Sequence, residues 1–317
     1  EKDIVNTVTT DILVIGCGTG GMFAVCAAAE NGGKVIGIDR FPTGTGIRGD
    51  LGAINSRYQK KEGTKIDKFE FTAWATRYAG GHVKQELYNV WADNSGETID
   101  WLGDRLQEKG MVLMHESGDK GDWTRYKHYA TGHSPQKNPQ VQTVMSTILQ
   151  EYAEKRGAKF DFNTTMVKLE KKNGRVTGCI ARDGDGKYVR YIAKKGTVVA
   201  TGGYARNKDM VARYPVAHYF SNVPHGNVGD GLTAAEKLGA RNFEHPAVQV
   251  VYTSLTNGVG INDESGLIVN DRGERVVNEW SYQYTVSDAI ARSGSNCAWY
   301  ITSGKEPYGG VQYGYKA

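Results

Sequence analysis

Three observations predict an α/β fold for this 317-residue chain. An apolar strand-like run, DILVIG (11–16), passes through a glycine turn into an Ala-rich helical run and then a second strand, KVIGID (34–39). Two segments with helical spacing, 65–115 and 140–157, separate that unit from short alternating strands over 159–201. Glycine is in excess, 41 residues or about 13% against a usual ~7%, with 7 prolines and no G-X-Y period. The glycine therefore belongs to tight backbone positions in a globular protein.

Composition narrows the classes further. At roughly 150 residues per domain, the length suits about two domains and a sizeable core. Apolar content of 39% and aromatic content of 10% exclude a disordered chain. A net charge of +4, with no Lys/Arg block longer than two, is too diffuse for a nucleic-acid footprint. Cys17, Cys26, Cys179 and Cys297 are too far apart for a C-x-x-C pair, haem attachment or an iron–sulfur cluster. Residues 12–29 carry no charge, but four glycines and Thr19 interrupt the run, so it is not a membrane span. No His/Asp/Glu grouping has metal-ligand spacing, and no nucleophile elbow occurs. The first residue is Glu1, from which a trimmed start is expected.

The first unit carries the chemistry. Gly16-x-Gly18-x-x-Gly21 directly follows a strand and opens a helix, and Asp39 ends the next strand 23 residues after Gly16. Gly16 permits the tight turn, Gly18 lets backbone approach a pyrophosphate, and Gly21 allows close helix–strand packing. The helix start aims unpaired N–H groups at the phosphates. Asp39 would accept hydrogen bonds from ribose hydroxyls and disfavours a 2′-phosphate, which selects FAD or NAD over NADP. Further along, Gly157 suits the stop of the second helical segment, and Asn173-Gly174 and Asp185-Gly186 mark hairpin turns. Thr201-Gly202-Gly203 ends an apolar run, as expected where a strand's carboxyl end meets ligand. From about residue 243 the texture turns polar and irregular. The expected architecture is a Rossmann-like dinucleotide-binding domain with a β-meander excursion over 1–242, then a second domain over 243–317, which the family resemblance carried by the motifs below implies is the start of an α+β capping domain.

Several longer motifs occur in order: ETIDWL (97–102), NTTMVKL (163–169), VVATGGYARNKDMVARYP (198–215), GNVGDGLTAAEKLGA (226–240) and GLIVNDRGERVVNE (266–279). Together they resemble the fumarate reductase/succinate dehydrogenase-like flavoproteins, a family that includes urocanate and enone reductases and ketosteroid dehydrogenases. The resemblance runs from about Thr10 to Glu279 and implies FAD as cofactor. By the same resemblance Gly16, Gly18, Thr19, Gly20 and Gly21 hold the pyrophosphate, with Asp39 on the ribose and Arg40 beside it. The segment from Thr45 and Gly46 to Leu51, Gly52 and Ala53 matches the stretch beside the isoalloxazine, with Asp50 and Leu51 where small residues are usual. Met166 corresponds to a residue whose backbone reads the adenine. Ala200, Thr201 and Gly202 return across the cofactor, and Asp230 contacts the ribityl–phosphate region.

In such enzymes the flavin carries the hydride, while the protein orients the substrate and supplies a proton. The fumarate reductases place a proton-donating arginine four residues after an Asn-Glu pair; here that pair is Asn278-Glu279 and the position is Gln283. Its neighbours Tyr282 and Tyr284 become the candidate acids, with packing aromatics as the open alternative. His245-Pro246 matches a substrate-binding His-Pro-Thr, with Ala247 in place of the Thr. The family's Thr-Glu-Ala-Val-Arg run is replaced by GVGINDESG (258–266). A dicarboxylate needs clamps at both ends, so these losses point to a larger or less charged enone or aryl-acrylate. His128 and His133, with Trp123 and Tyr126, form an aromatic–His stretch that either lines the substrate mouth or is a surface loop.

The family also has a return segment after the cap, bearing a Gly-Leu-Tyr-Ala-Ala-Gly-Glu-like motif, which this sequence lacks. The expectation is a fragment, or one of two polypeptides whose second chain carries that segment. Three functions stay open: a C=C reductase of unsaturated acids or ketones fed by an external electron donor, a ketosteroid-type dehydrogenase, and a non-catalytic dinucleotide-binding subunit. The compartment, cell envelope or cytoplasm, also stays open.

Overall fold

The computed structural model describes residues 3–44, 46, 47, 49, 51–79, 81, 83–115, 129–135, 141–213, 226–241, 266–279, 289, 290, 292–294 and 298–302. In chain order the elements are β1 (Ile4–Ile15), α1 (Thr19–Glu30), β2 (Val35–Ile38), β3 (Leu51–Gly52), α2 (Arg57–Lys61), α3 (Lys68–Tyr78) and α4 (Gln85–Gln107). Then come β4 (Leu113–His115), β5 (Gly132–Pro135), α5 (Val141–Glu154), β6 (Lys159–Asp161), β7 (Thr165–Lys172), β8 (Arg175–Arg182) and β9 (Tyr188–Val199). The last are α6 (Lys208–Val211), α7 (Asp230–Glu236), β10 (Gly266–Val269) and β11 (Trp299–Thr302).

The main sheet has the order β6-β2-β1-β9-β8-β7. Strands β6, β2, β1 and β9 run parallel, while β9, β8 and β7 form an antiparallel meander. This is the expected α/β architecture with its excursion. Strand β9 belongs to both halves: Tyr188–Ile192 pair with β8, and Tyr188–Val199 follow β1. Strand β1 starts seven residues earlier than the expected Asp11, because Ile4–Thr10 pair with the first half of β9. That stretch is rich in Thr and Val, which suit a pleated surface, but its weak alternation hid it.

Alternation along β1 sorts the core into two layers. Val14 faces α1, α4 and α5, packing with Met22, Val25, Leu102 and Leu149. Leu13 and Ile15 face the other way, where Leu169, Cys179 and Ala181 of the meander fold back onto Ile36 and Ile38. The helical face is tied further by Glu30, whose carboxylate accepts from Trp101 Nε1 at 2.9 Å and from the Tyr152 hydroxyl. Cys17, Cys26 and Cys179 are buried free thiols, and burial pushes Cys26 and Cys179 up to about 12. They behave as small apolar residues.

The segment 65–115 is not one helix. Asp67 caps α3 by accepting from Phe69 N at 2.9 Å and Glu70 N at 2.8 Å, and Gly81 (φ +78°) lies in the break before α4. The two turns of the meander differ. Asn173 and Gly174 are both left-handed (φ +51° and +79°), as a two-residue hairpin requires. At the second turn Gly186 has φ +82°, while the Asp183 carboxylate accepts from the amides of Asp185 and Lys187. Strands β3, β5 and β4 form a small antiparallel sheet of their own, and β10 pairs with β11. The boundary expected at residue 242 lies outside the described residues. Among the described residues, no helix is long and apolar enough to cross a membrane.

Glu279, after β10, is 9% exposed. Burial alone would raise its pKa, but Arg275 (Nη2 to Oε2, 2.5 Å) and the Ile268 amide (2.8 Å) outweigh that and hold it at about 2. Its stabilisation is therefore present above the unfolded value of ~4.3 and fades as pH falls toward about 2. Glu279→Gln should cost about 1–2 kcal/mol at pH 7 and flatten the loss of stability between pH 5 and 3. Urea unfolding across that range is the check, and a variant with an unchanged acid profile would remove Glu279 from the account.

Candidate functional site

The carboxyl ends of β1, β2 and β9 meet at one cleft, with the first turn of α1 on one side and the start of α7 on another. Its volume is about 340 Å³, near the lower end of the roughly 300–1,000 Å³ usual for ligand clefts. Gly16 forms its floor with φ +93°, and a Cβ there would sit 2.5 Å from Ala200 O. The closeness follows from the sheet, since Gly16 N donates to Ile38 O (2.8 Å) and Ala200 N to Ile15 O (2.7 Å). Gly21 stands behind the turn, where a Cβ would lie 1.7 Å from Gly16 O. The turn and helix can approach this closely only without side chains at both places.

The N-cap of helix α1 is Gly18, which offers no side-chain cap, and the first ladder bond is Met22 N to Gly18 O (2.8 Å). The amides of Thr19 and Gly20 precede that bond, and both residues line the cleft. A helix start without a capping side chain is suited to hold an anion. Asp39 is 7% exposed and does two local jobs: Oδ2 accepts from Cys17 N at 2.6 Å, and Oδ1 from Phe41 N at 3.0 Å. A carboxylate has about four acceptor positions, so it can still take ribose hydroxyls. Across the cleft Arg40 pairs with Asp230, the first residue of α7, and both are about a quarter to a third exposed.

The cleft collects most of the sequence-derived cofactor residues. Gly16, Gly18, Thr19, Gly20, Asp39, Arg40, Gly46, Met166, Ala200, Thr201, Gly202 and Asp230 line it. Leu51, Gly52 and Ala53 do not; they form β3 and its continuation beside β5. Thr45, His245, Tyr282 and Tyr284 lie outside the described residues. His133 sits on β5 and not on a surface loop, fully buried with both ring nitrogens engaged. Phe41, Thr164 and Asn227 line the cleft without having been singled out. Thr164 N donates to Asp39 O at 2.7 Å, a link between segments distant in sequence.

A cradle closed by missing Cβ atoms, uncapped amides and a buried acid fits a dinucleotide's pyrophosphate and ribose. The sequence profile described as "FAD binding domain" matches residues 11–309. The chain belongs to that family. FAD is accordingly its cofactor. Over 316 aligned residues it is 28% identical to the "Probable fumarate reductase Ifc3" of Shewanella frigidimarina, covering 92% of this chain and 50% of that protein. Two solved structures share the fold. A 3-ketosteroid-Δ4-(5α)-dehydrogenase from Rhodococcus jostii has a TM-score of 0.70 at 21% identity, covering 92% of this chain and 66% of that one. The open conformation of a flavocytochrome c3 fumarate reductase has a TM-score of 0.67 at 24% identity, covering 90% and 51%. The chain spans about half the length of the curated relatives it matches.

Proposed function

We propose that the chain is the cofactor-holding part of an FAD-dependent oxidoreductase. Its reaction would be reduction of the C=C bond of an α,β-unsaturated acid or ketone, with electrons from an external donor. The observation that carries this reading is the convergence of the glycine turn, Asp39 and the Ala200–Gly202 strand end on one cleft. Family membership and similarity to a probable fumarate reductase supply the reaction class.

FAD, when bound, supplies the hydride from its N5. The residues of the chain hold and orient. The amides of Thr19 and Gly20 would hold the pyrophosphate, Asp39 the adenosine ribose and Asp230 the ribityl–phosphate region, all four residues lining the cleft. His245 would bind a substrate oxygen, and Tyr284 or Tyr282 would donate a proton to one carbon of the substrate's C=C bond. Without the family's arginine at position 283 and its Thr-Glu-Ala-Val-Arg run, the preferred substrate is larger or less charged than fumarate.

The test is an anaerobic assay of the flavin-loaded protein with reduced viologen against a panel of enoates and enones. Oxidation of the viologen by at least one is expected, and silence with all of them despite bound flavin sinks the reading. Tyr284→Phe or Tyr282→Phe should lower turnover by ~10²-fold in whichever carries the acid. Unchanged rates in both retire the assignment.

A further inference from the structure

We propose that His133 is a positioning residue that clamps the segment Leu51–Ala53 for the flavin half of the cofactor. The inference rests on the FAD reading above.

The clamp is a buried polar network in which Ser56, Gln59 and His133 are each 0% exposed. Thr131 O can only accept, so His133 Nδ1 donates to it (2.9 Å) and Nε2 is left as an acceptor. The Ser56 hydroxyl donates to that Nε2 at 2.7 Å and itself accepts from Gln59 N at 3.2 Å. Gln59 Oε1 accepts from Ser56 N at 3.0 Å, and Gln59 Nε2 donates to Ala53 O (3.0 Å) and Ala130 O (2.7 Å). Ala53 N closes the circuit by donating to Thr131 O at 2.9 Å. Burial depresses the pKa of His133, which favours the neutral ring that this pattern of donors requires.

Strand β3 has only two residues, too few to hold a register by pairing alone. The network supplies what pairing cannot: both the N–H and the C=O of Ala53 are tied to it, and Leu51 stands opposite His133. An apolar core would fill this space without directionality, whereas a satisfied polar network fixes one arrangement. The arrangement matters because of where the segment lies. Gly46 lines the cleft, and Gly52 follows six residues later, at most about 21 Å away along the chain. The clamped backbone is thus joined to the cleft wall through six residues of chain, and on this proposal a dinucleotide that leaves the cleft past Gly46 meets it. Gly52 is itself exposed, with Trp91 packed behind it.

FAD and ADP separate the roles, because ADP carries the ribose and pyrophosphate but no flavin. The experiment titrates both into the wild-type protein, His133→Leu, His133→Gln and Ser56→Ala, reading flavin fluorescence and, for ADP, calorimetry. His133→Leu and Ser56→Ala should raise the Kd for FAD by about tenfold while leaving that for ADP within about twofold. His133→Gln, whose Oε1 restores an acceptor for Ser56, should return FAD to within about threefold of wild type. Equal weakening of both ligands, or of neither, overturns the clamp. If His133→Leu does not fold, the other two variants carry the test, and failure of all three to fold overturns it as well. A wild-type protein that binds ADP but not FAD removes the flavin reading and the clamp together.

Discussion

Gly16→Ala should abolish useful FAD binding, raising Kd by about a hundredfold or more. Two costs add. The backbone there has φ +93°, a region that side chains adopt only at a cost of roughly 1–3 kcal/mol. The new Cβ would also stand 2.5 Å from Ala200 O and 2.8 Å from Ala200 C. These are backbone atoms of the neighbouring strand and cannot swing aside as a flexible side chain would. Relief requires β9 to move away from β1, which strains the bond from Ala200 N to Ile15 O. The free variant relaxes by letting β9 shift, so binding must restore the cradle, and a restoring cost near 3 kcal/mol corresponds to about a hundredfold in Kd. Gly203→Ala is the matched control. A Cβ at Gly203 meets nothing within 4 Å, so the same chemical change should leave affinity within about threefold. Flavin fluorescence titration measures both. Wild-type affinity in Gly16→Ala would mean that the pyrophosphate does not sit over this turn.

That contrast also explains which features could be read in advance. The turn at 16–21 is a local device: strand, glycine spacing, helix and terminal acid all fall within 30 residues, and each has one physical purpose. Asn173-Gly174 is legible for the same reason, since two adjacent left-handed residues admit few sequences. His133 is the opposite case. Its chain neighbours Gly132 and Ser134 say nothing about a hydroxyl 77 residues earlier, and an aromatic-rich stretch looks alike on a surface or beneath one. One signal was available. Ser56 and Gln59 have the S-x-x-Q spacing of a capping box, and the structure forms it with both reciprocal bonds. The first half of β1 escaped because its pairing is with residues about 180 positions later, on which no local window reports. Thr164 and Asn227 enter the cleft through long-range backbone contacts in the same way.

Asp39→Ala should have an effect of similar size, and it would also fix the orientation of the cofactor. In the folded protein the carboxylate satisfies two backbone amides, Cys17 N in the glycine turn and Phe41 N beyond β2. Alanine leaves both without an acceptor in a place that is 7% exposed, at about 1–3 kcal/mol each. Part of that loss falls on the protein alone, and thermal unfolding without cofactor should register it. The remainder falls on binding, because the turn loses its anchor and the ribose loses its acceptor. FAD affinity should drop by about a hundredfold. Asp39→Asn is the more searching variant. Its amide oxygen can serve one of the two N–H groups, but its NH2 then faces the other as donor against donor, so a nearly isosteric change should still weaken binding by about tenfold. The loss should be equal for FAD and ADP, since both present the adenosine ribose. A variant that loses FAD but keeps ADP would place Asp39 with the flavin half, and the direction in which the dinucleotide crosses the cleft would have to be reversed.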